Sequence, residues 1–89
     1  MIVEFDKSFE KSVDRLKNQL LNFKISNLIE SVEAAESISE LIHVKKLSGY
    51  KTYFRYRVGD YRIGFEKINE KTIRFIVIAH RKDIYKVFP

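Results

Sequence analysis

The sequence of 89 residues contains no cysteine, one proline and three glycines. The absence of cysteine excludes disulfide bonds, thiolate zinc sites and cysteine nucleophiles. The glycines, Gly49, Gly59 and Gly64, match the spacing of neither a dinucleotide-binding loop nor a P-loop. Nothing in the sequence therefore predicts a thiol-based site or a bound nucleotide cofactor.

Long apolar segments are also missing, since no run approaches the roughly 20 residues that a membrane-spanning helix needs. The N-terminal stretch MIVEFDKSF has neither the basic region nor the long apolar core of a signal peptide. The two histidines, His43 and His80, have no paired carboxylate motif nearby, so neither a metal site nor a cofactor is predicted. We expect a cytoplasmic protein with no membrane partner.

Hydrophobic residues make up 45% of the chain and aromatic residues 13%, which is typical of a compact globular protein. At this length we expect one domain, residues 1–89, with a single modest core.

Positive charge is concentrated in the second half of the chain. Residues 1–41 carry five Lys or Arg against eight Asp or Glu, whereas residues 42–89 carry twelve against four. The formal net charge of +5 therefore conceals a strongly basic C-terminal half. Such asymmetry is typical of proteins that bind nucleic acid, although a solvated basic surface accounts for the charge alone equally well.

The order of periodic segments predicts an α+β fold. Ile2–Phe5 is a strand candidate, and Asp6 is suited to cap the helix that follows. Apolar residues then recur at helical spacing in two stretches, with a tight turn expected within residues 17–22. Strands follow from Ile42 onward, and Asp83 is expected to cap a short C-terminal helical turn. The predicted fold is a twisted, mainly antiparallel sheet with two antiparallel helices on one face.

The segment Lys45–Glu66 predicts a β-hairpin whose two-residue turn is Gly59-Asp60, with glycine at the position that a type II′ turn favours. Because side chains alternate, one face is apolar and carries Phe54, Tyr56, Val58, Tyr61, Ile63 and Phe65. The other face carries Arg55, Arg57 and Arg62 around Gly64. Like charges directly opposite each other destabilise a sheet, so we expect these arginines to bind a polyanion.

The next segment, Thr72–Ala79, is apolar at almost every position, as expected of a central strand covered on both faces. A three-residue loop over residues 69–71 predicts the pairs Phe65 with Phe75, Ile63 with Val77 and Arg62 with Ile78. In that register His80 lies at the end of the arginine face.

A cationic sheet face with a titratable group is suited to RNA cleavage, because RNA carries its own nucleophile, the ribose 2′-hydroxyl. Arginines clamp phosphates and stabilise transition-state charge, but they stay protonated and are poor bases. Histidine is the side-chain type suited to proton transfer near neutral pH, so His80 is the first candidate for the base, and Lys46 and Lys51 are weaker candidates. A nuclease, a non-catalytic binder of nucleic acid or protein, and a basic domain with neither role all remain open.

Two motifs resemble the RelE branch of the RelE/ParE toxin superfamily. They are FRYRVGDYRI at residues 54–63 and HRKDIY at residues 80–85, and KLSG at residues 46–49 precedes them. The expected order of elements is similar to that family along essentially the whole chain. The resemblance implies a toxin of a type II toxin–antitoxin module. Such a toxin enters the ribosomal A site and cleaves the mRNA there through the 2′-hydroxyl, without a metal, and a cognate antitoxin wraps and blocks it.

The resemblance also implies roles for individual residues. Arg55 and Arg57 match two basic residues of the active-site strand, and Arg62 matches a phosphate-stabilising arginine. Arg81 matches an arginine that acts at the leaving group, and Tyr85 matches a tyrosine that stacks on or orients the substrate. Further substrate-binding positions are predicted at Lys45, Lys46, Lys51 and Lys82.

This chain departs from the family at the expected general base, because positions 55 and 57 both hold arginine rather than lysine. We hypothesise that His80 takes a proton-transfer role instead. Two alternatives remain open. One is a ParE-like toxin, which shares the fold but inhibits DNA gyrase by binding it, and the other is an inactive homologue that still binds an antitoxin.

Overall fold

The computed structural model describes all residues, 1–89, and confirms the expected α+β architecture. In chain order the elements are β1 (Ile2–Phe5), α1 (Lys7–Leu16), α2 (Gln19–Ala34), β2 (Val44–Lys46), β3 (Tyr53–Val58), β4 (Tyr61–Asn69), β5 (Thr72–His80) and α3 (Ile84–Val87), with a 3-10 turn at Ile38–Glu40. The strands form one five-stranded sheet in the order β1-β5-β4-β3-β2. Only the β1–β5 pair is parallel. None of the helices is both long and apolar enough to cross a membrane.

Polar caps divide the N-terminal helical region into two helices. The Asp6 carboxylate accepts a hydrogen bond from the Ser8 backbone N–H at 3.2 Å and so caps α1. Lys17 ends α1 in the left-handed conformation, with φ at 47°. The Asn18 side chain then accepts from the Leu21 N–H at 3.0 Å and caps α2. The expected cap and the expected break between the helices are therefore confirmed.

Both helices pack on one face of the sheet and enclose the main core. Its buried members are Phe9 of α1, Leu21, Ile25, Leu28 and Val32 of α2, and Tyr56, Val58, Ile63, Phe65, Ile73, Phe75 and Ile78 of the sheet. The ring of Phe75 meets that of Phe9 at a centroid distance of 5.3 Å. Each large apolar side chain buried in this way contributes about 1.5–3 kcal/mol to stability.

A smaller apolar cluster lies on the opposite face of the sheet and attaches the C-terminal segment to it. Its buried members are Leu47, Ile84 and Phe88. The ring of Phe88 lies so close to Gly64 that a Cβ atom there would overlap it, so the position requires glycine. Asp83 precedes α3 but makes no side-chain cap hydrogen bond, so the predicted cap at that residue is wrong.

The predicted hairpin of β3 and β4 is confirmed in its register. The observed pairs are Phe54 with Phe65, Arg55 with Gly64, Tyr56 with Ile63, Arg57 with Arg62 and Val58 with Tyr61. Gly59 has a φ of 60°, and Asp60 does not have a positive φ, as a type II′ turn requires. The preceding strand is shorter than predicted, because Ile42 lies outside β2.

The predicted register between β4 and β5 is right at one end and wrong at the other. The observed pairs include Phe65 with Phe75, Gly64 with Val77, Ile63 with Ile78, Arg62 with Ala79 and Tyr61 with His80. The partners predicted for Ile63 and Arg62, which were Val77 and Ile78, are therefore displaced by one residue. The reason is an extra residue in β5, Ile76, which forms a β-bulge.

The bulge reverses the face on which the later residues of β5 lie. Because paired residues share a face, His80 lies with Tyr61 on the side of the helices, and their ring centroids are 5.6 Å apart. The position predicted for His80, at the end of the arginine face, is wrong. Its Nδ1 atom accepts a hydrogen bond from the Lys82 backbone N–H at 3.2 Å.

Two serines of α1 bind the backbone of β5 at the bulge. Ser8 Oγ donates a hydrogen bond to the carbonyl oxygen of Ile76. Ser12 Oγ accepts from the Ile78 N–H at 3.0 Å and donates to the Phe9 carbonyl oxygen at 2.8 Å. Ser12 is buried, and a buried N–H group without a partner is costly. Ser12 therefore ties the bulge to α1.

Replacement of Ser12 by alanine is expected to lower the free energy of unfolding by about 1–3 kcal/mol, because it leaves the Ile78 N–H buried without an acceptor. Urea denaturation followed by circular dichroism measures this change. The matched control is Ser31→Ala on α2, an exposed position whose hydroxyl donates only to the Asn27 carbonyl. The control is expected within about 0.5 kcal/mol of the wild type. Equal effects of the two substitutions would contradict the role assigned to Ser12.

Candidate active site on the open face of the sheet

The sheet face opposite α1 and α2, here called the open face, gathers four positively charged side chains. This cation cluster consists of Lys45 of β2, Arg55 and Arg57 of β3, and Arg62 of β4. Two like-charged pairs lie directly across neighbouring strands, Lys45 with Arg55 and Arg57 with Arg62. None of the four forms a salt bridge with a carboxylate. Such an arrangement destabilises a sheet unless an anion binds to it.

Within the cation cluster, the Arg62 side chain is fixed by hydrogen bonds to the backbone. Its Nη1 atom donates to the carbonyl oxygens of Gly59 and Tyr61, both at 2.9 Å, which holds the guanidinium at the hairpin turn. Partial burial lowers the pKa of the Arg62 side chain from its usual value. The positive charges that lower this pKa further belong to Arg55, Arg57 and Arg81. The cluster thus imposes an electrostatic cost that a bound phosphate would relieve.

The C-terminal segment brings two more predicted residues to the same place. The Arg81 backbone N–H donates to the Asp60 carbonyl oxygen at 2.8 Å, so the end of β5 is joined to the hairpin turn. Both Arg81 and Tyr85 lie close enough to Arg62 to influence its pKa. The Tyr85 side chain is 63% exposed, whereas its neighbour Ile84 is buried and anchors α3.

Two adjoining clefts follow the open face. The cation cleft, about 280 Å³, is lined by His43, Val44, Lys45, Arg55, Arg57 and Arg62. The aromatic cleft, about 430 Å³, is lined by Lys45, Lys46, Leu47, Ser48, Tyr50, Arg55, Tyr85, Phe88 and Pro89. Lys45 and Arg55 belong to both. A groove that joins cations to exposed aromatic rings is suited to single-stranded nucleic acid, whose phosphates and bases these groups bind.

Most of the predicted site residues are brought together by the fold. Arg55, Arg57, Arg81 and Tyr85 lie near Arg62. Lys45 lines both clefts, and Lys46 lines the aromatic cleft. Lys51 and Lys82 are exposed but line neither cleft, and His80 lies on the other face of the sheet. His80 therefore lies away from the open face, where it was predicted to transfer a proton.

Two residues that line the clefts, Tyr50 and His43, were not predicted as site residues from the sequence. Tyr50 is 46% exposed in the aromatic cleft, and its place after the KLSG motif was the available signal. His43 lines the cation cleft. Its position follows from the pairing of Lys45 with Arg55, which sets the residue two positions earlier opposite Arg57. Because the loop between β2 and β3 is irregular, the pairing of these two strands could not be deduced from the sequence.

Residues 3–85 match the family described as ParE toxin of type II toxin-antitoxin system, parDE. Toxin RelE3 of Methanocaldococcus jannaschii is 40% identical over 90 residues, and the alignment spans 100% of both chains. This chain belongs to the RelE/ParE superfamily of type II toxins. It is RelE-like, because its similarity to a RelE protein extends over the full chain.

Solved structures support the same assignment. The RelB-RelE antitoxin-toxin complex from Methanococcus jannaschii contains a chain with a TM-score of 0.79 and 37% identity to this RelE-like toxin, and the match covers 97% of this chain and 99% of that one. An archaeal RelE-RelB complex from Pyrococcus horikoshii has a TM-score of 0.70 at 23% identity, with coverage of 90% and 93%, and supports the fold alone.

Removal of one charge from the cation cluster is expected to stabilise the toxin. Arg55→Gln should raise the midpoint of thermal unfolding at low ionic strength, because Arg62 and Lys45 then lose a like-charged neighbour. The gain should shrink in 1 M NaCl, where the screening length falls to about 3 Å. Differential scanning calorimetry at both salt concentrations measures it. The control Lys24→Gln, an exposed position on α2 with no charged residue three or four positions away, should show no such salt-dependent gain; a matching gain there would refute the prediction.

Gly64→Ala is expected to displace Phe88 and to destabilise the toxin by about 1–3 kcal/mol, because the added methyl group overlaps the ring. A double-mutant cycle with Phe88→Ala isolates this contact. Once the ring is absent, the Gly64→Ala substitution should cost nothing. An undiminished cost in the Phe88→Ala background would show that the packing of Phe88 is not the reason for glycine at this position.

Proposed function

We propose that this toxin cleaves mRNA in the ribosomal A site and so arrests translation. The observation that carries the proposal is the cation cluster, four positive side chains on one sheet face without a carboxylate partner, next to Arg81 and Tyr85. Binding of a polyanionic ligand would relieve this repulsion, which supports the proposal. The cation and aromatic clefts together accommodate the backbone and bases of a single strand.

The proposed reaction uses the ribose 2′-hydroxyl as the nucleophile. The 2′ oxygen attacks the adjacent phosphorus, the bond from phosphorus to the 5′ oxygen breaks, and a 2′,3′-cyclic phosphate and a 5′-hydroxyl are formed. The proton of the 2′-hydroxyl leaves as the new bond forms, and a proton is supplied to the departing 5′ oxygen. The number of atoms and charges is conserved, so no oxidant or second substrate is needed.

The arginines act on the charge that builds up during this reaction. Arg62, already fixed by two carbonyl groups, and Arg55 donate hydrogen bonds to the non-bridging phosphate oxygens in the transition state. Arg81 stabilises the negative charge on the departing 5′ oxygen. Tyr85 and Tyr50 stack on bases next to the scissile phosphate and hold the strand in the aromatic cleft.

A cognate antitoxin is the proposed protein partner. The similar solved structures include toxins bound to RelB antitoxins. This chain carries a net charge of +5, and Leu20 and Phe23 of α2 are 64% and 65% exposed. A partner with acidic segments and an amphipathic helix would neutralise the charge and cover these apolar side chains.

The second candidate function is inhibition of DNA gyrase by binding. It is favoured by the match of residues 3–85 to the family model described as ParE toxin. The two functions are separated by adding the purified toxin to a translating extract and, in parallel, to a DNA supercoiling assay with gyrase. Cut mRNA supports cleavage, whereas inhibition of supercoiling with intact mRNA supports the gyrase function. Lack of either effect identifies an inactive homologue.

Substitution of Arg62 tests the chemical role of the cation cluster. Arg62→Ala is expected to reduce ribosome-dependent mRNA cleavage by about 10²–10³-fold, the loss typical when one donor to a developing negative charge is removed. Arg62→Lys should retain more activity than alanine, because the positive charge remains. Primer extension on mRNA recovered from a translating extract measures the cleavage rate. Equal loss in the two variants would contradict a role based on charge.

The companion variant is His80→Gln, which tests the proton-transfer hypothesis derived from the sequence. We expect cleavage at nearly the wild-type rate, because His80 packs against Tyr61 on the face away from the cation cluster. A loss as large as that of Arg62→Ala would restore His80 as a participant in the reaction.

A further inference from the structure

His43 contacts Arg57 through both its backbone and its side chain. The Arg57 backbone N–H donates to the His43 carbonyl oxygen at 2.9 Å. The Arg57 guanidinium, through Nη2, lies 2.9 Å from His43 Nδ1. Since a guanidinium has only donors, His43 Nδ1 is the acceptor of that hydrogen bond. No other side chain is hydrogen-bonded to Arg57, and no carboxylate pairs with it.

The backbone of His43 is held in an unfavourable conformation at this point. Its φ is 63°, in the left-handed region that residues with a Cβ atom seldom adopt. Apart from His43, the only non-glycine residue with a positive φ is Lys17, which ends α1 far along the chain from the cation cluster. Non-glycine residues in this conformation cluster at functional sites and persist only where the surrounding structure holds them, as the two contacts with Arg57 do here.

The hydrogen bond to Arg57 imposes a protonation state on His43. An imidazole that accepts at Nδ1 must be neutral and must carry its proton on Nε2. A protonated imidazole has no lone pair at Nδ1 and would present an N–H group and a positive charge to the guanidinium. Protonation of His43 therefore breaks the contact and repels Arg57.

We propose that His43 is the positioning residue for Arg57, which it holds toward the cation cleft only while its imidazole ring is neutral. The inference rests on the proposed RNA cleavage for its effect on activity, but the hydrogen bond itself is independent of that function. Because only the neutral ring accepts a hydrogen bond at Nδ1, cleavage by the wild type should be faster at pH 8 than at pH 5.

The charged groups around His43 all oppose a further positive charge. Those that line the same cleft are Lys45 on β2, Arg55 and Arg57 on β3, and Arg62 on β4. Glu40, the carboxylate nearest in sequence, accepts a hydrogen bond from the Glu36 backbone N–H. No carboxylate lines the cation cleft to stabilise an imidazolium ion.

Nuclear magnetic resonance tests the hydrogen bond without any assay of activity. Long-range proton–nitrogen spectra of the ¹⁵N-labelled toxin at pH 8 should show His43 with Nε2 protonated and Nδ1 unprotonated. Arg57→Gln should shift the His43 Nδ1 resonance, while Arg55→Gln should leave its tautomer unchanged. A proton on Nδ1 at pH 8, or no response to Arg57→Gln, would overturn the proposal whether or not the toxin cleaves RNA.

Three substitutions at matched positions test the functional consequence. His43→Asn places an amide oxygen near the position of Nδ1, tolerates the left-handed backbone and does not titrate. We expect it to retain cleavage at pH 8 within about threefold and to lose the decline at low pH, since its acceptor remains available. His43→Gly relaxes the backbone but removes the acceptor, and it should reduce cleavage by roughly 10–100-fold, as when an orienting partner of a site residue is removed.

Lys17→Gly is the control for the backbone, because it relaxes the second positive φ without touching the cation cleft. Both glycine variants should keep or raise the midpoint of thermal unfolding, and only His43→Gly should lose cleavage. Equal activity of the two glycine variants would overturn the proposal. The proposal would also be overturned if cleavage by His43→Asn declined at low pH as steeply as cleavage by the wild type. An activity of His43→Asn as low as that of His43→Gly would overturn it as well. If the wild type cleaves no mRNA, the proposed RNA cleavage is wrong, but the proton–nitrogen spectra still test the hydrogen bond between His43 and Arg57.

Discussion

The bulge at Ile76 is the constraint on which the two faces of this sheet depend. An ordinary strand places alternate residues on opposite faces, yet Phe75 and Ile78, three positions apart, both face the helices. Between them Ile76 and Val77 pack against the C-terminal cluster on the other face. Hydrogen bonds from α1 stabilise the irregular backbone, so the packing of α1 and the position of α3 are set at the same point.

Packing in the main core offsets the electrostatic repulsion between the like charges of the open face. The main core brings together apolar side chains from both helices and the central strands, and its stability allows the open face to hold like charges opposite one another. Partial burial lowers the pKa of Arg62, and the positive charges of Arg55, Arg57 and Arg81 lower it further. Removal of one of these charges should therefore increase stability.

Within the RelE/ParE superfamily, this toxin has arginine at both basic positions of β3, so neither side chain can act as a base. The fold also removes His80 from the open face, since its ring packs on Tyr61. The histidine that does meet the cation cluster is His43, and it meets it as an acceptor for Arg57. The open face therefore presents a cluster of cations, one of which is hydrogen-bonded to a neighbouring imidazole ring.

Local patterns in the sequence were sufficient for the helix cap at Asp6, the Gly59 turn and the pairing of Arg57 with Arg62, because these depend on neighbouring residues. Only the tertiary structure decided the face of His80. The bulge that reverses it is stabilised by Ser12, which is 66 positions away from Ile78 in the chain. The contact of His43 with Arg57 likewise spans an irregular loop. Side-chain alternation predicts the face of each residue along a regular strand. A bulge residue moves all later residues to the opposite face, and here the bulge is stabilised by a helix that is distant in the sequence.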